Sequence, residues 1–150
     1  MPLKIMFVCL GSICRSPTAE GVFRGLAEQA GFDVTVDSSG TGGWHMGEQP
    51  DRRAMAEAAR RGYDLSAQRS RQVSQDDFNK FDLILAMDKS NLNNLKSIAP
   101  CGSSAEVKLF LEYAPNQPLR ELPDPYYEDN FEAVFDLIEE ASRGLIKALS

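Results

Sequence analysis

Long apolar runs, histidine and tryptophan are what this sequence has least of. No uninterrupted apolar stretch approaches the roughly 18 residues of a membrane-crossing helix, so a membrane partner is not expected. The N-terminus lacks the charged, then apolar, then small-residue order of a secretory leader, and Leu3 to Val8 is too short for one. One histidine, His45, and three cysteines, Cys9, Cys14 and Cys101, make no cluster at metal-ligand spacing, so no metal and no cofactor are expected. Positive charge is in deficit too: 16 Lys and Arg against 22 Asp and Glu leave a net charge of −6, which argues against nucleic acid as a partner. With no export signal and few cysteines, the expected compartment is the reducing cytoplasm. The 150 residues fit a single domain, 1–150, without repeats or a linker.

What is present is concentrated in Val8-Cys9-Leu10-Gly11-Ser12-Ile13-Cys14-Arg15-Ser16-Pro17. The apolar run Leu3 to Val8 before it reads as a buried strand. Ser16-Pro17 reads as an N-cap followed by proline at the first helical position. A strand, a tight loop and a helix N-terminus in that order form an anion cradle: loop N–H groups and the helix dipole converge, and Arg15 adds a forked positive charge. Such surroundings favour a thiolate as well as a phosphate, so Cys9 at the mouth of the loop reads as a nucleophile beneath a bound phosphate or other oxyanion. Gly11 is the residue expected to take a positive φ. Cys-x5-Arg alone is a weak signal, and the bland alternative is a buried structural cysteine with Arg15 on the helix surface. Two thiols on one loop, Cys9 and Cys14, suggest a redox-sensitive pair that closes a disulfide after oxidation.

Further along, Ala19, Val22, Phe23, Leu26, Ala27 and Ala30 mark a helix over 17–30, with Gly31 at its C-cap. Phe32 to Ser38 reads as a strand, completing a βαβ unit. Gly40 to Gly47 is a glycine-rich loop holding Trp44 and His45; Trp44 either packs on the body or lines a pocket. His45 reads as an ordinary loop residue. Residues 51–61 form a helix with Ala54, Met55, Ala58 and Ala59 inward. Six arginines from Arg52 to Arg71 read as a solvated face, or alternatively as a basic rim for acidic phosphoproteins. Ser74 to Phe78 resembles a capping box, Phe81 to Met87 a central strand, and Asp88 the N-cap of a helix carrying Leu92, Leu95 and Ile98. Val107 to Leu111 reads as the fourth strand. A proline-rich loop over 114–125 leads to an amphipathic helix with Phe131, Val134, Phe135, Ile138, Leu145 and Leu149 inward. Cys101 looks like an ordinary thiol. Asp124, fixed between Pro123 and Pro125, is either the start of a turn or a carboxylic acid able to protonate a leaving group.

The stretch from Cys9 to Pro17 closely resembles the phosphate loop of the low-molecular-weight protein tyrosine phosphatases. The likeness continues through Asp37-Ser38-Ser39-Gly40-Thr41-Gly42-Gly43-Trp44, Ala86-Met87-Asp88-Lys89-Ser90-Asn91 and Asp124-Pro125-Tyr126-Tyr127, in the family's order. The implied fold is α/β: a four-stranded parallel twisted sheet with helices on both faces, flavodoxin-like, in the order 2-1-3-4. The implied activity is hydrolysis of phosphotyrosine in proteins, with a cysteinyl-phosphate intermediate and no metal. Cys9 would be the nucleophile, Arg15 the phosphate anchor, Asp124 the general acid and base, and Ser16 the donor to the Cys9 sulfur. Leu10, Gly11, Ser12, Ile13 and Cys14 would surround the phosphate, Trp44, Tyr126 and Tyr127 would wall the cleft, and Ser38 and Asp88 would support the loop. The implied partners are tyrosine-phosphorylated proteins, and the protein is expected to be a monomer. Related enzymes that act on phosphoarginine carry a smaller, hydroxylated residue at the position of Ile13, so isoleucine points to the flat face of a phenol.

Two residues depart from the family. Serine replaces asparagine at Ser12, whose partner would be Ser38, and glutamine replaces histidine at Gln68, which leaves the support of Asp88 in doubt. Serine tolerates a left-handed backbone less well, so a less rigid loop is expected. An arsenate reductase on the same fold would need a resolving cysteine pair near the end of strand three, and residues 81–99 contain no cysteine. A non-catalytic phosphate- or phosphotyrosine-binding module is the other alternative, and a phosphate-release assay separates it from an enzyme.

Overall fold

Alternate residues of the first strand, β1 (Leu3–Cys9), enter two different cores in the computed structural model, which describes residues 3–125 and 130–150. Ile5, Phe7 and Cys9 face one way, towards Val22, Phe23, Phe135 and Ile138. Met6 and Val8 face the other way, towards Phe78, Ile84 and Leu95. Successive side chains of a strand point to opposite faces, so burial on both sides requires the unbroken apolar run seen in the sequence. Phe7 has ring neighbours on its side, Phe110 at 5.0 Å edge-on and Phe23 at 5.8 Å; truncating so buried a phenylalanine costs about 3–5 kcal/mol.

The chain continues as α1 (Arg15–Gln29), β2 (Val34–Gly40), α2 (Arg52–Arg60), α3 (Asp77–Lys80), β3 (Leu83–Ala86), α4 (Lys89–Ile98), β4 (Glu106–Leu109), a 3-10 turn (Phe110–Tyr113) and α5 (Phe131–Leu149). Among the described residues the four strands form one parallel sheet in the expected order β2-β1-β3-β4. The apolar faces of α1 and α5 cover one side, and α3 and α4 cover the other. Beside β1 the strand order reverses, the place where open α/β sheets bind ligands beyond the strands' carboxyl ends. No helix among the described residues is long and apolar enough to cross a membrane.

Several boundaries differ from the sequence reading, each for a local reason. β2 runs on to Gly40 because Ser39 and Gly40 pair with Val8 and Cys9. β4 stops at Leu109, where the Glu112 carboxylate accepts the Leu109 N–H at 2.9 Å and turns Phe110 and Leu111 into the 3-10 helix. α1 begins at Arg15 with Cys14 at its N-cap, so Ser16 lies inside the first turn and is not the cap. Asp51 caps α2, accepting from Arg53 N–H, and Ala59 on that helix is exposed. Ser74 donates its N–H to the Asp77 carboxylate, the half of a capping box its sequence suggests. The arginines of this region are largely neutralised: Arg53 pairs with Asp51, Arg60 and Arg61 with Glu57, and Arg71 with Asp77.

Candidate active site

The loop between β1 and α1 is held from outside by its own carbonyls. Cys9 O accepts from Thr41 N–H, Leu10 O from Gly42 N–H, Ile13 O from Asp51 N–H and Cys14 O from Thr18 N–H, at 2.7–3.2 Å. Gly11 O accepts from the Ser70 hydroxyl at 2.9 Å. The loop can lie this low over β2 because residue 40 is glycine: a Cβ there would meet Leu10 O at 2.6 Å and Ser12 N at 3.0 Å. Gly11 does not take the positive φ expected of it. Ser12 does, at φ 60°, the one described residue other than glycine in that region. With no Cβ-free residue at the bend, the loop places a serine in a conformation that disfavours it by roughly 1–2 kcal/mol.

Around the Cys9 sulfur two groups converge. Ser12 N–H donates to it at 3.3 Å, and the Ser16 hydroxyl stands 3.1 Å away. Arg15, 3% exposed, extends beneath the loop. Its Nη1 donates to Asp88 Oδ2 and to Leu122 O, each at 2.8 Å, and its Nη2 lies 3.5 Å from Asp124 Oδ2. Burial opposes the Arg15 charge, but the Cys9 sulfur and the Asp88 and Asp124 carboxylates outweigh it and hold its pKa above the ordinary value. Asp88 performs two tasks, accepting from Arg15 and capping α4 through Asn91 N–H at 2.8 Å. Cys14 is buried and its thiol is pushed far up by that burial, with Asp51, Cys9 and Asp124 adding to the effect.

Of these residues Cys9, Cys14, Arg15 and Asp124 meet in one cavity of about 250 Å³, lined also by Leu10, Gly11, Ile13, Trp44 and His45, whereas Ser12 and Ser16 lie behind its lining and Asp88 outside it. Ile13 packs with Cys14, Ala54 and Phe131, which sets the loop against α2 and the start of α5. Trp44 is 72% exposed yet placed, its ring lying across Gly42 so that a Cβ there would fall 1.9 Å from the ring. His45 is the residue the sequence reading passed over. It lines the cavity, and its Nδ1 is 2.9 Å from Glu48 Oε2, a carboxylate three positions on that was the available signal. Tyr126 and Tyr127 lie outside the described residues.

The expected Ser12–Ser38 contact is not formed. Ser38 Oγ gives its proton to Glu20 Oε1 at 2.8 Å, a charged acceptor stronger than a hydroxyl, while Ser12 Oγ is buried with no partner. Gln68 donates from Nε2 to Pro17 O at 3.0 Å and lies 3.5 Å from Ser38, so it belongs to this group below the loop and not to Asp88. Glu20 has its pKa raised by burial, against the lowering effect of Ser38 and Arg24. Among the described residues no three His, Cys, Asp or Glu side chains gather as a metal site would require.

With this geometry in hand, comparison decides the family. Residues 4–150 match the family described as low molecular weight phosphotyrosine protein phosphatase. The chain belongs to that family. It is 40% identical over 149 residues to the low molecular weight protein-tyrosine-phosphatase YfkJ of Bacillus subtilis, covering 98% of this chain and 96% of that protein. The crystal structure of YfkJ superimposes with a TM-score of 0.95, at 99% and 95% coverage and 39% identity. The low molecular weight phosphotyrosine protein phosphatase of Schizosaccharomyces pombe is 41% identical over 153 residues, covering 99% of this chain and 97% of its own. A Drosophila arginine phosphatase shares the fold at TM-score 0.94 and 30% identity, covering 99% and 98%. The family and its neighbours are hydrolases, and this phosphatase shares their fold.

Proposed function

We propose that residues 1–150 form one phosphatase domain that hydrolyses phosphotyrosine in proteins in two metal-independent steps. The observation that carries this reading is the convergence of Ser12 N–H and the Ser16 hydroxyl on the Cys9 sulfur, at the base of a cavity that also holds Arg15 and Asp124. The thiolate of Cys9 attacks phosphorus, forming the P–S bond as the P–O bond to the phenol breaks. Asp124 gives its proton to the departing oxygen. In the second step Asp124 takes a proton from water, whose oxygen attacks phosphorus, and the P–S bond breaks to return the thiolate and inorganic phosphate.

Arg15 and the amides of residues 10–15 stabilise charge on the equatorial oxygens, where it collects in the transition state. The outward ties of the loop carbonyls leave the N–H edges for this task, with Ser12 N–H serving the Cys9 sulfur. Trp44 walls the cleft for an aromatic leaving group. The buried Ile13 presents an apolar surface to the phenol ring and no polar partner to a guanidinium. The enzyme works in the cytoplasm as a monomer. Oxidation is a reversible brake: a peroxide converts Cys9 to a sulfenic acid, and the Cys14 thiol displaces water from it to give a disulfide that thiols reduce.

Hydrolysis of p-nitrophenyl phosphate in EDTA by wild type, Cys9→Ser and Asp124→Ala tests the scheme. The first variant is expected to be inactive and the second greatly slowed. Dependence of wild type on added metal, or turnover by Cys9→Ser, overturns it. Faster hydrolysis of phosphoarginine than of phosphotyrosine would move the substrate to that of the Drosophila neighbour.

A further inference from the structure

Between Tyr113 and α5 the described chain passes the carboxyl end of β3 as an irregular strap of turns and bends, anchored by the buried Leu122 side chain and, near the site, by three hydrogen bonds. Two of them are backbone bonds at one residue: Leu122 N–H donates to Met87 O at 2.8 Å, and Leu122 O accepts from Arg15 Nη1 at 2.8 Å. The third comes from a side chain. Glu121 Oε1 accepts the N–H of Lys89 at 2.9 Å. Lys89 is the first residue of α4, so its N–H is one of those a helix leaves without an internal partner, and a carboxylate there is favoured by the helix dipole.

These bonds close a ring. Arg15 Nη1 donates to Asp88 Oδ2, Asp88 is bonded through the chain to Lys89, Lys89 donates to Glu121, and Glu121 precedes Leu122, whose carbonyl returns to the same Nη1. Asp124 hangs from this ring across Pro123, whose fixed φ passes on any shift of Leu122, and its Oδ2 sits 3.5 Å from Arg15 Nη2. Glu121 itself is exposed, on the outer side of Arg15 beside Lys89, Ser90 and Arg120.

We infer that Glu121 is a positioning residue of this enzyme, fixing the strap on α4 so that Asp124 meets the leaving oxygen while Arg15 holds the phosphate. The inference rests on the acid role given to Asp124 above. Opening one side of the ring lets the acid drift relative to the phosphate, and misplacement of a proton donor by an ångström is costly to rate. The loss falls on poor leaving groups, which need the proton, and spares activated ones, which do not.

The test compares kcat/KM for phenyl phosphate and for 2,4-dinitrophenyl phosphate in wild type, Glu121→Ala, Glu121→Gln, Lys89→Pro and Asp124→Ala. The ratio of activated to phenyl ester is expected to rise about tenfold in Glu121→Ala. Lys89→Pro removes the N–H at a first helical position that accepts proline and is expected to give the same rise. Glu121→Gln keeps the oxygen acceptor and is expected to keep the wild-type ratio. An unchanged ratio in Glu121→Ala and Lys89→Pro, with Asp124→Ala raising it, overturns the inference alone. An equal rise in Glu121→Gln also overturns it. No rise in Asp124→Ala removes the acid assignment, and the inference with it.

Discussion

The Ser16 hydroxyl lies 3.1 Å from the Cys9 sulfur and 3.1 Å from the Ser39 carbonyl oxygen. It has one proton for two acceptors. With a thiol at Cys9 the carbonyl can take that proton, whereas a thiolate is the stronger acceptor and draws it across. In the proposed scheme the contact therefore counts most when sulfur is an anion, including the moment it leaves phosphorus.

Ser16→Ala should accordingly slow release of the cysteinyl phosphate more than its formation. A hydrogen bond to a charged group is worth about 1.5–3 kcal/mol, which corresponds to a kcat loss of roughly 10- to 100-fold. Rapid-quench measurements are expected to show a larger burst of phenol and more trapped phosphoenzyme than in wild type. Equal loss in both steps would tell against the hydroxyl as a partner of the leaving sulfur.

Ser12→Asn tests the strained bend. Asparagine tolerates the left-handed region better than serine, and its longer amide replaces a hydroxyl that is buried without a partner. Competitive inhibition by inorganic phosphate should tighten by about threefold, roughly 0.6 kcal/mol. Unchanged inhibition would mean that the loop is already as ordered as the anion requires.

Gly40→Ala is predicted to disturb the loop from below. The new methyl group would meet backbone atoms of Leu10 and Ser12, which cannot rotate away as a side chain can. Overpacking of this kind costs about 1–3 kcal/mol, so thermal unfolding should fall by about 2–10 °C. Phosphate should protect the variant from unfolding less than it protects wild type. Equal protection would show that the loop moves as a unit without loss of shape.

Two carboxyls should mark the pH dependence of stability with opposite signs. Burial raises the pKa of Glu20, so the native state keeps that proton longer than the unfolded chain does. Its contribution is present below the unfolded value, about 4.3, and is lost as pH rises through the folded value. Asp51 is the reverse: burial raises its pKa, but the hydrogen bonds from Arg53 and the α2 backbone prevail and lower it. That contribution is present above about 3.9 and is lost as pH falls through the folded value. Urea midpoints across this range should show Glu20→Gln gaining on wild type as pH rises, and Asp51→Asn falling further behind. A flat difference for either variant would contradict its assignment.

Periodicity made most of the fold legible. β1 was readable because its burial on both faces demands an unbroken apolar run, and α5 because its apolar residues keep one face. The run Val107 to Leu111 misled at its end, since apolar character does not distinguish a strand from a 3-10 turn that Glu112 folds back. Within the site, Cys9, Arg15 and Asp124 were legible as residue types in a motif. Their connections were not: Arg15 reaches Asp88 and Leu122, partners 73 and 107 positions away, and no spacing rule joins them. Ser12 and Ser38 failed as a pair for a related reason, because a sequence cannot show that Glu20 competes for the same hydroxyl.

The bond from Arg15 to Leu122 also fixes an order of events during synthesis. Cys9 and its loop leave the ribosome early, but the carbonyl that steadies Arg15 follows 107 residues later. At about 5–20 residues per second that delay is roughly 5–20 s. Until then the nascent chain carries the cysteine without its completed anion site, and Arg15 gains its full set of partners only after Leu122 has followed.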